Sequence, residues 1–229
     1  MTIAEFSNEF DTLIQAYMVS EDFRDHNISA FTEYEKSIFL TKAQEEVVLD
    51  IYKGTGEFDS FEKSEESRRL LSSLIQTEEL NPLEISDYKP IGDNSYLFSL
   101  PDNLMFITYE AVLFENSPCG TSKYIPVSVV SQDEIHRTLE NPFRRNSKNR
   151  VLRLDNKDNI VELISEYSIS KYYIKYLKVP SPILLIDLLD GLSINNITAQ
   201  SECKLNPSLH RRILDRAVIL ALASKNINK

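Results

Sequence analysis

The most concentrated group of chemically capable side chains in the sequence is basic. Only one acid, Glu140, interrupts it, and its members are Arg137, Arg144, Arg145, Lys148, Arg150 and Arg153. Guanidinium groups bind carboxylates and phosphates through paired hydrogen bonds, so the cluster suits an acidic partner. It equally suits a loop whose charges neutralise the acidic helices of the same chain.

Other reactive residues are sparse and do not form known motifs. The three histidines, His26, His136 and His210, lack the spacing of metal ligands, and Cys119 and Cys203 form no CxxC pair. No nucleotide-binding or hydrolase signature occurs. We therefore predict no catalytic residue, no metal and no cofactor, although an enzyme with an unfamiliar active site stays open as a third alternative.

Composition limits the class of protein. The 229 residues carry a formal charge of −10, which opposes general coating of nucleic acid by a cationic surface. Acidic residues Glu5, Glu9 and Asp11 occupy the place of a signal peptide, and no apolar run, including the one at 183–186, approaches the roughly 20 residues that a bilayer span requires. These features predict a protein that is neither secreted through a signal peptide nor inserted into a membrane.

Helical patterns occupy the two ends of the chain. Apolar spacing predicts helices over residues 2–18, 32–53 and 64–76. Thr32 with Glu35 forms a capping box, and Gly54 is a stop signal. The closing helix begins at Asn206 with Pro207 in its first position. Their apolar stripes indicate core packing rather than a cofactor site.

The middle of the chain has strand patterns. Strands are predicted over 96–100, 105–114, 124–130, 151–154, 160–164 and 170–178. The turn at 116–120 indicates a hairpin, and Pro126 places its second arm at a sheet edge or a bulge. Ser131 with Glu134 predicts a second capping box and a short helix that ends before Pro142.

The predicted fold class is α+β, with three regions. Residues 1–80 form an N-terminal helical region, and residues 81–182 form a central, mostly antiparallel β-rich region with a short helix. Residues 183–229 form a C-terminal segment and an amphipathic helix that packs back on the helical region. The basic cluster then lies between the short helix and the strand at 151–154.

Two segments resemble a known family. Residues 33–48, EYEKSIFLTKAQEEVV, and residues 131–154, which contain DEIHRTLENPFRR and RVLRL, resemble elements of virion proteins from crAss-like and related bacteriophages of gut Bacteroidales. The order and spacing of the two elements agree with that family. One departure is Arg145-Asn146, where the family element often has Gly-Pro, and it affects the conformation of this loop.

The resemblance implies a structural protein of the phage particle. It implies a ring in the head–tail connector, in the neck or tail, that joins capsid to tail below the portal and lines the DNA channel. The expected partners are further copies of the chain in a dodecamer, the portal, other neck and tail ring proteins and, non-specifically, the packaged DNA. Assembly is expected in the cytoplasm of the host bacterium, with no membrane involved.

For this function the candidate interface residues are Phe143, Arg144, Arg145, Arg150 and Arg153. In a ring of identical subunits, a basic patch that faces an acidic patch of the neighbour sets register and orientation. The alternative function is a soluble nucleic-acid-binding or regulatory module that uses residues 137–153.

Overall fold

The structure, a computed structural model, describes residues 1–18, 30–55, 59–83, 89–92, 94–115, 123–189 and 191–226. It contains helices at both ends and a mixed β-sheet between them, which confirms the predicted α+β class. The chain divides into two compact units. The helical unit comprises Met1–Leu74 and Val179–Lys229, and the sheet unit comprises Ile75–Lys178.

Among the described residues, four α-helices belong to the helical unit: α1 Ile3–Met18, α2 Glu33–Lys53, α3 Glu65–Leu70 and, after the sheet, α5 His210–Asn226. The predicted ends of α2 are confirmed. The Thr32 hydroxyl accepts the Glu35 N–H, and the Glu35 carboxylate accepts the Thr32 N–H at 2.8 Å. Gly54 adopts the left-handed conformation, with φ of 72°, that ends the helix at little cost.

The core of the helical unit lies between α2 and α5, and α1 also packs on α5. The apolar stripes predicted for α2 and α5 are largely buried there, which confirms their interpretation as core packing. The fully buried members are Leu40, Ala43, Val48, Ile51, Ile213, Ala217 and Ala221.

Polar side chains of α2 also hold the segment that follows the sheet. The Leu185 N–H donates to the Ser37 hydroxyl at 3.0 Å, and the Ile183 N–H donates to the Thr41 hydroxyl at 3.1 Å. The Gln44 amide donates to the Ser181 carbonyl at 2.8 Å. These bonds satisfy backbone groups that would otherwise be buried without partners. They fix the path of the chain up to Leu185.

The part of the sheet unit that the structure describes has seven strands: β1 Ile75–Leu80, β2 Ser95–Ser99, β3 Leu104–Phe114, β4 Ile125–Val129, β5 Val151–Asp155, β6 Ile160–Ile164 and β7 Ile169–Lys178. Their spatial order is β1-β7-β3-β4-β5-β6-β2. All neighbouring pairs are antiparallel except β4 with β5. The sheet curls, since Phe98 of β2 contacts Tyr172 of β7 with ring centroids 5.2 Å apart.

Two sequence predictions are wrong in this unit. The predicted third helix ends at Leu70, and Ile75–Leu80 is strand β1, which pairs with β7 along its whole length. Pro126 does not lie on an edge strand, because β4 sits between β3 and β5. Its register explains why proline is tolerated: Ile125 and Pro126 pair with β3, whereas Val127–Val129 pair with β5.

The predicted turn at 116–120 lies outside the described residues, although β3 and β4 do pair antiparallel. The hairpin of β5 and β6 is confirmed, and its turn contains Asp158 and Asn159 with positive φ. Among the helices that the structure describes, none has the length and apolar character needed to cross a bilayer.

Candidate interaction surface

The basic cluster lies mainly on a loop that follows a short helix. Helix α4, Ile135–Glu140, packs through Ile135 and Leu139 against the outer side of β5 and β6. Its predicted capping box is wrong: Glu134 is the N-cap residue and makes no side-chain capping bond. Instead the Glu134 N–H donates to the Ser131 carbonyl at 3.1 Å, which forms a backbone turn. As predicted, the helix ends before Pro142.

Residues 141–150 form what we call the arginine loop, and hydrogen bonds within the chain define its shape. The N–H groups of Arg144 and Arg145 donate to the Asn141 carbonyl at 3.0 and 2.9 Å. The Phe143 N–H donates to the Asn141 side chain at 3.0 Å. Ser147 and Arg150 exchange two backbone hydrogen bonds. The loop is therefore a structured projection with its backbone largely satisfied.

Arg150 positions the tip of this loop. Its Nη1 atom donates to the Phe143 carbonyl at 3.2 Å and to the Arg144 carbonyl at 3.4 Å. One guanidinium thus bridges two consecutive carbonyl groups, which suits its rigid planar geometry. We conclude that Arg150 acts within the chain, by presenting Phe143 and Arg144.

Phe143 is the most exposed large hydrophobic residue in the part of the chain that the structure describes. Its relative exposure is 91%, and Arg144 and Arg145, which follow it directly, are also exposed. Two grooves adjoin the loop: one of about 530 Å³ is lined in part by Arg144 and Arg150, and one of about 340 Å³ by Arg145. An exposed aromatic side chain next to two arginines is the composition typical of binding hot spots.

Arg153 lies apart from this surface. It is buried, and its Nη1 lies 2.7 Å from Glu110 Oε2 while its Nε lies 3.0 Å from Asp155 Oδ1. The Tyr172 hydroxyl donates to the same Glu110 oxygen at 2.5 Å. Burial is the largest single effect and lowers the pKa of Arg153, but the charges of Glu110 and Asp155 and the interaction with Tyr172 together outweigh it, so the pKa is raised overall. Arg153 thus belongs to a buried ionic network that links β3, β5 and β7.

The remaining reactive residues have ordinary structural surroundings. His210 is buried, with Nε2 3.1 Å from the Leu205 carbonyl oxygen and Nδ1 2.7 Å from the Met1 amino group. Burial raises the pKa of the Cys203 thiol, which disfavours the reactive thiolate. His26 and Cys119 lie outside the described residues. Within those residues no cluster of His, Cys, Asp or Glu could hold a metal ion.

Two further exposed features were not recognised in the sequence. An aliphatic knuckle consists of Ile186, Leu189 and Leu192 with Asp187, and its Leu189 is 80% exposed. An aromatic face on the sheet consists of Tyr109, Tyr124 and Tyr173, in which the Tyr173 ring contacts each of the other two. The apolar segment at 183–189 was a sequence signal for the aliphatic knuckle. Only the packing of the folded chain shows that Leu185 is buried and that the exposed part begins at Ile186.

Comparison with known proteins decides the family. Residues 1–229 match the phage tail ring protein 3/4 family along the whole chain. The chain belongs to this family. It is 44% identical over 229 residues to Ring protein 3 of Bacteroides phage crAss001, which covers 98% of this chain and 96% of that protein. It is 32% identical over 234 residues to Ring protein 4/5 of the same phage, with 98% and 93% covered.

The predicted resemblance to crAss-like phage virion proteins is thereby confirmed. The protein is a phage ring protein, and its relatives carry structural names rather than names of reactions. For a ring protein, exposed apolar residues beside charged ones have a direct use, because each subunit must bury surface against its neighbours. The arginine loop is therefore the candidate contact of this ring protein.

Proposed function

We propose that this ring protein assembles into a closed homo-oligomeric ring in the head–tail connector of the virion, in the neck below the portal. The ring joins capsid to tail, and about twelve subunits would match a portal of that symmetry. Its partners are its own copies, the portal and adjacent ring proteins, and it assembles in the cytoplasm of the host bacterium.

The observation that carries this proposal is the exposure of Phe143 directly before Arg144 and Arg145 on a loop with a defined backbone. Ordering this loop in the monomer lowers the entropy that is lost when a partner binds. Phe143 contributes apolar burial, and the arginines supply orientation through carboxylates of the partner. Arg150 supports the contact from within the loop, whereas Arg153 stabilises the sheet on which the loop is mounted.

The net charge of −10 supports the proposal that the ring surrounds the DNA channel. A channel wall with negative potential repels the phosphate backbone, so DNA passes without adhering to it. We propose that the ring lines the DNA channel in this way and makes no sequence-specific contact.

Native mass spectrometry of the purified protein, with and without co-expressed portal, tests the proposal. We expect a closed species near twelve subunits, either from the protein alone or after portal is added. Electron microscopy of the same sample should show rings. A protein that remains monomeric in both samples and never associates with phage particles would contradict the proposal.

A duplex DNA titration separates the proposed ring from a nucleic-acid-binding module. The module predicts salt-dependent binding at micromolar protein that is abolished by Arg144→Glu. The ring predicts no such binding. If the protein forms the proposed ring, Arg144→Glu should instead impair ring assembly. The substitution therefore affects DNA binding under one function and assembly under the other.

A further inference from the structure

The aliphatic knuckle is the second strongly exposed apolar feature among the described residues. Leu189 is 80% exposed, second only to Phe143 among the large hydrophobic side chains in the described ranges, and Ile186 and Leu192 are 41% and 42% exposed. Three large, exposed aliphatic side chains within seven positions concentrate apolar surface on one short segment. Such a concentration is typical of a surface that a partner covers.

Hydrogen bonds hold the knuckle in this exposed position. The Leu188 N–H donates to the Thr198 carbonyl at 2.8 Å, and the Leu192 N–H donates to the Leu189 carbonyl at 3.0 Å. The Gln200 N–H donates to Asp187 Oδ1 at 2.7 Å. The preceding residue, Leu185, is anchored on α2. The backbone of the knuckle is therefore fixed directly after the buried segment, and the exposed Asp187 carboxylate is held by the Gln200 N–H.

The symmetry of a ring requires two different contact patches on each subunit. In a head-to-tail ring, a patch on one side of the subunit binds a different patch on the neighbour. The arginine loop belongs to the sheet unit, and the knuckle belongs to the helical unit. Phe143 is followed directly by the cations Arg144 and Arg145, whereas Leu189 lies two residues after the anionic Asp187. The two patches are thus both apolar and opposite in charge.

From this complementarity we infer that the aliphatic knuckle of one copy receives the arginine loop of the next copy. Phe143 packs against Leu189 and its aliphatic neighbours, while Arg144 or Arg145 pairs with the Asp187 carboxylate. The inference rests on the proposed ring and adds which two surfaces form its subunit contact.

The aromatic face is a less suitable receiver for the arginine loop. Its Tyr173 lies on β7 between Lys171 and Lys175, which alternate to the same side of the strand. Lys171 is neutralised by Glu79 at 2.7 Å. Lys175 leaves a positive charge on that face, and this charge repels an incoming arginine. The charge of Asp187 has the opposite effect at the knuckle.

Photo-crosslinking tests the inference directly. Benzoylphenylalanine at position 143 keeps an aromatic side chain there and captures whatever lies against it on irradiation. Mixing ¹⁵N-labelled and unlabelled chains before assembly distinguishes crosslinks between copies from those within one chain. We expect mixed-isotope crosslinks from position 143 to the peptide that carries Ile186, Leu189 and Leu192. The same probe at Tyr17, which is 47% exposed on α1, is the matched control and should give none to that peptide.

Two substitutions provide an independent readout. Leu189→Ser should lower assembly, while Ile219→Ser, at a residue 50% exposed on α5, should not. If rings form and position 143 crosslinks to another part of the chain, to the portal or to a different ring protein, the inference is overturned and the proposed ring remains. If native mass spectrometry detects no assembly with or without portal, the proposed function fails and the inference fails with it.

Discussion

Phe143→Ala separates a role in folding from a role in assembly. The side chain is 91% exposed, so its removal leaves the packing of the sheet unit unchanged. A surface substitution of this kind changes the free energy of unfolding by about 0.5 kcal/mol or less. The melting temperature of the unassembled variant should therefore equal that of the unmodified protein.

Association should respond very differently. If Phe143 is covered in the subunit contact, the variant loses the transfer free energy of a phenyl ring, about 2 kcal/mol per contact. That loss corresponds to a roughly 30-fold weaker association constant between neighbouring subunits. Because every subunit of a closed ring makes this contact, the ring should disappear over a narrow concentration range in which the unmodified protein is still assembled.

The assay is native mass spectrometry across a dilution series, with thermal unfolding of the same samples. Ile219→Ala is the matched control, since Ile219 is a half-exposed aliphatic residue on α5, outside both proposed contact patches. Assembly of Phe143→Ala at the same concentrations as the unmodified protein would refute the reasoning. A marked drop in melting temperature would also refute it, because it would assign Phe143 to the fold.

Three further predictions concern charge. Glu110→Ala leaves the buried Arg153 without its closest partner and should lower the free energy of unfolding by about 3–5 kcal/mol in urea titrations, whereas Glu79→Ala, at an exposed ion pair, should cost about 1 kcal/mol or less. Burial lowers the pKa of His210 below its ordinary value of 6.5. On acidification below that pH the unfolded chain therefore binds more protons than the folded chain, so the free energy of unfolding falls. His210→Gln should flatten the decline in melting temperature between about pH 7 and about pH 5. Raising NaCl to about 0.5 M should weaken ring assembly by screening the arginine loop; assembly that is insensitive to salt would contradict its electrostatic role.

Local sequence signals predicted the helix boundaries best. The Thr32–Glu35 capping box, Gly54 and Asn206 act through bonds to backbone groups only a few residues away, and the structure contains each of them. Strand β7 was also predicted, because Tyr172, Ile174 and Tyr176 alternate in the sequence and are buried on the same side.

The structural elements that the sequence did not predict depend on pairing with strands distant in the chain. Ile75–Leu80 carries two glutamates and has little strand character of its own, yet it pairs with β7, where Tyr176 donates to Glu78 and Lys171 binds Glu79. The parallel pairing of β4 and β5 likewise depends on how the chain crosses over α4. Neither contact leaves a periodic signal, since each joins residues far apart in the chain.

The candidate interaction surface was likewise predicted only in part from the sequence. The sequence by itself determined which residues are basic, that they flank Phe143, and that the chain resembles phage virion proteins. Only the tertiary structure decided that Arg153 is buried against Glu110, that Arg150 supports the loop, and that Phe143 and Leu189 are exposed. The physical reason is that residue type fixes charge and polarity, whereas burial depends on which distant segments pack together.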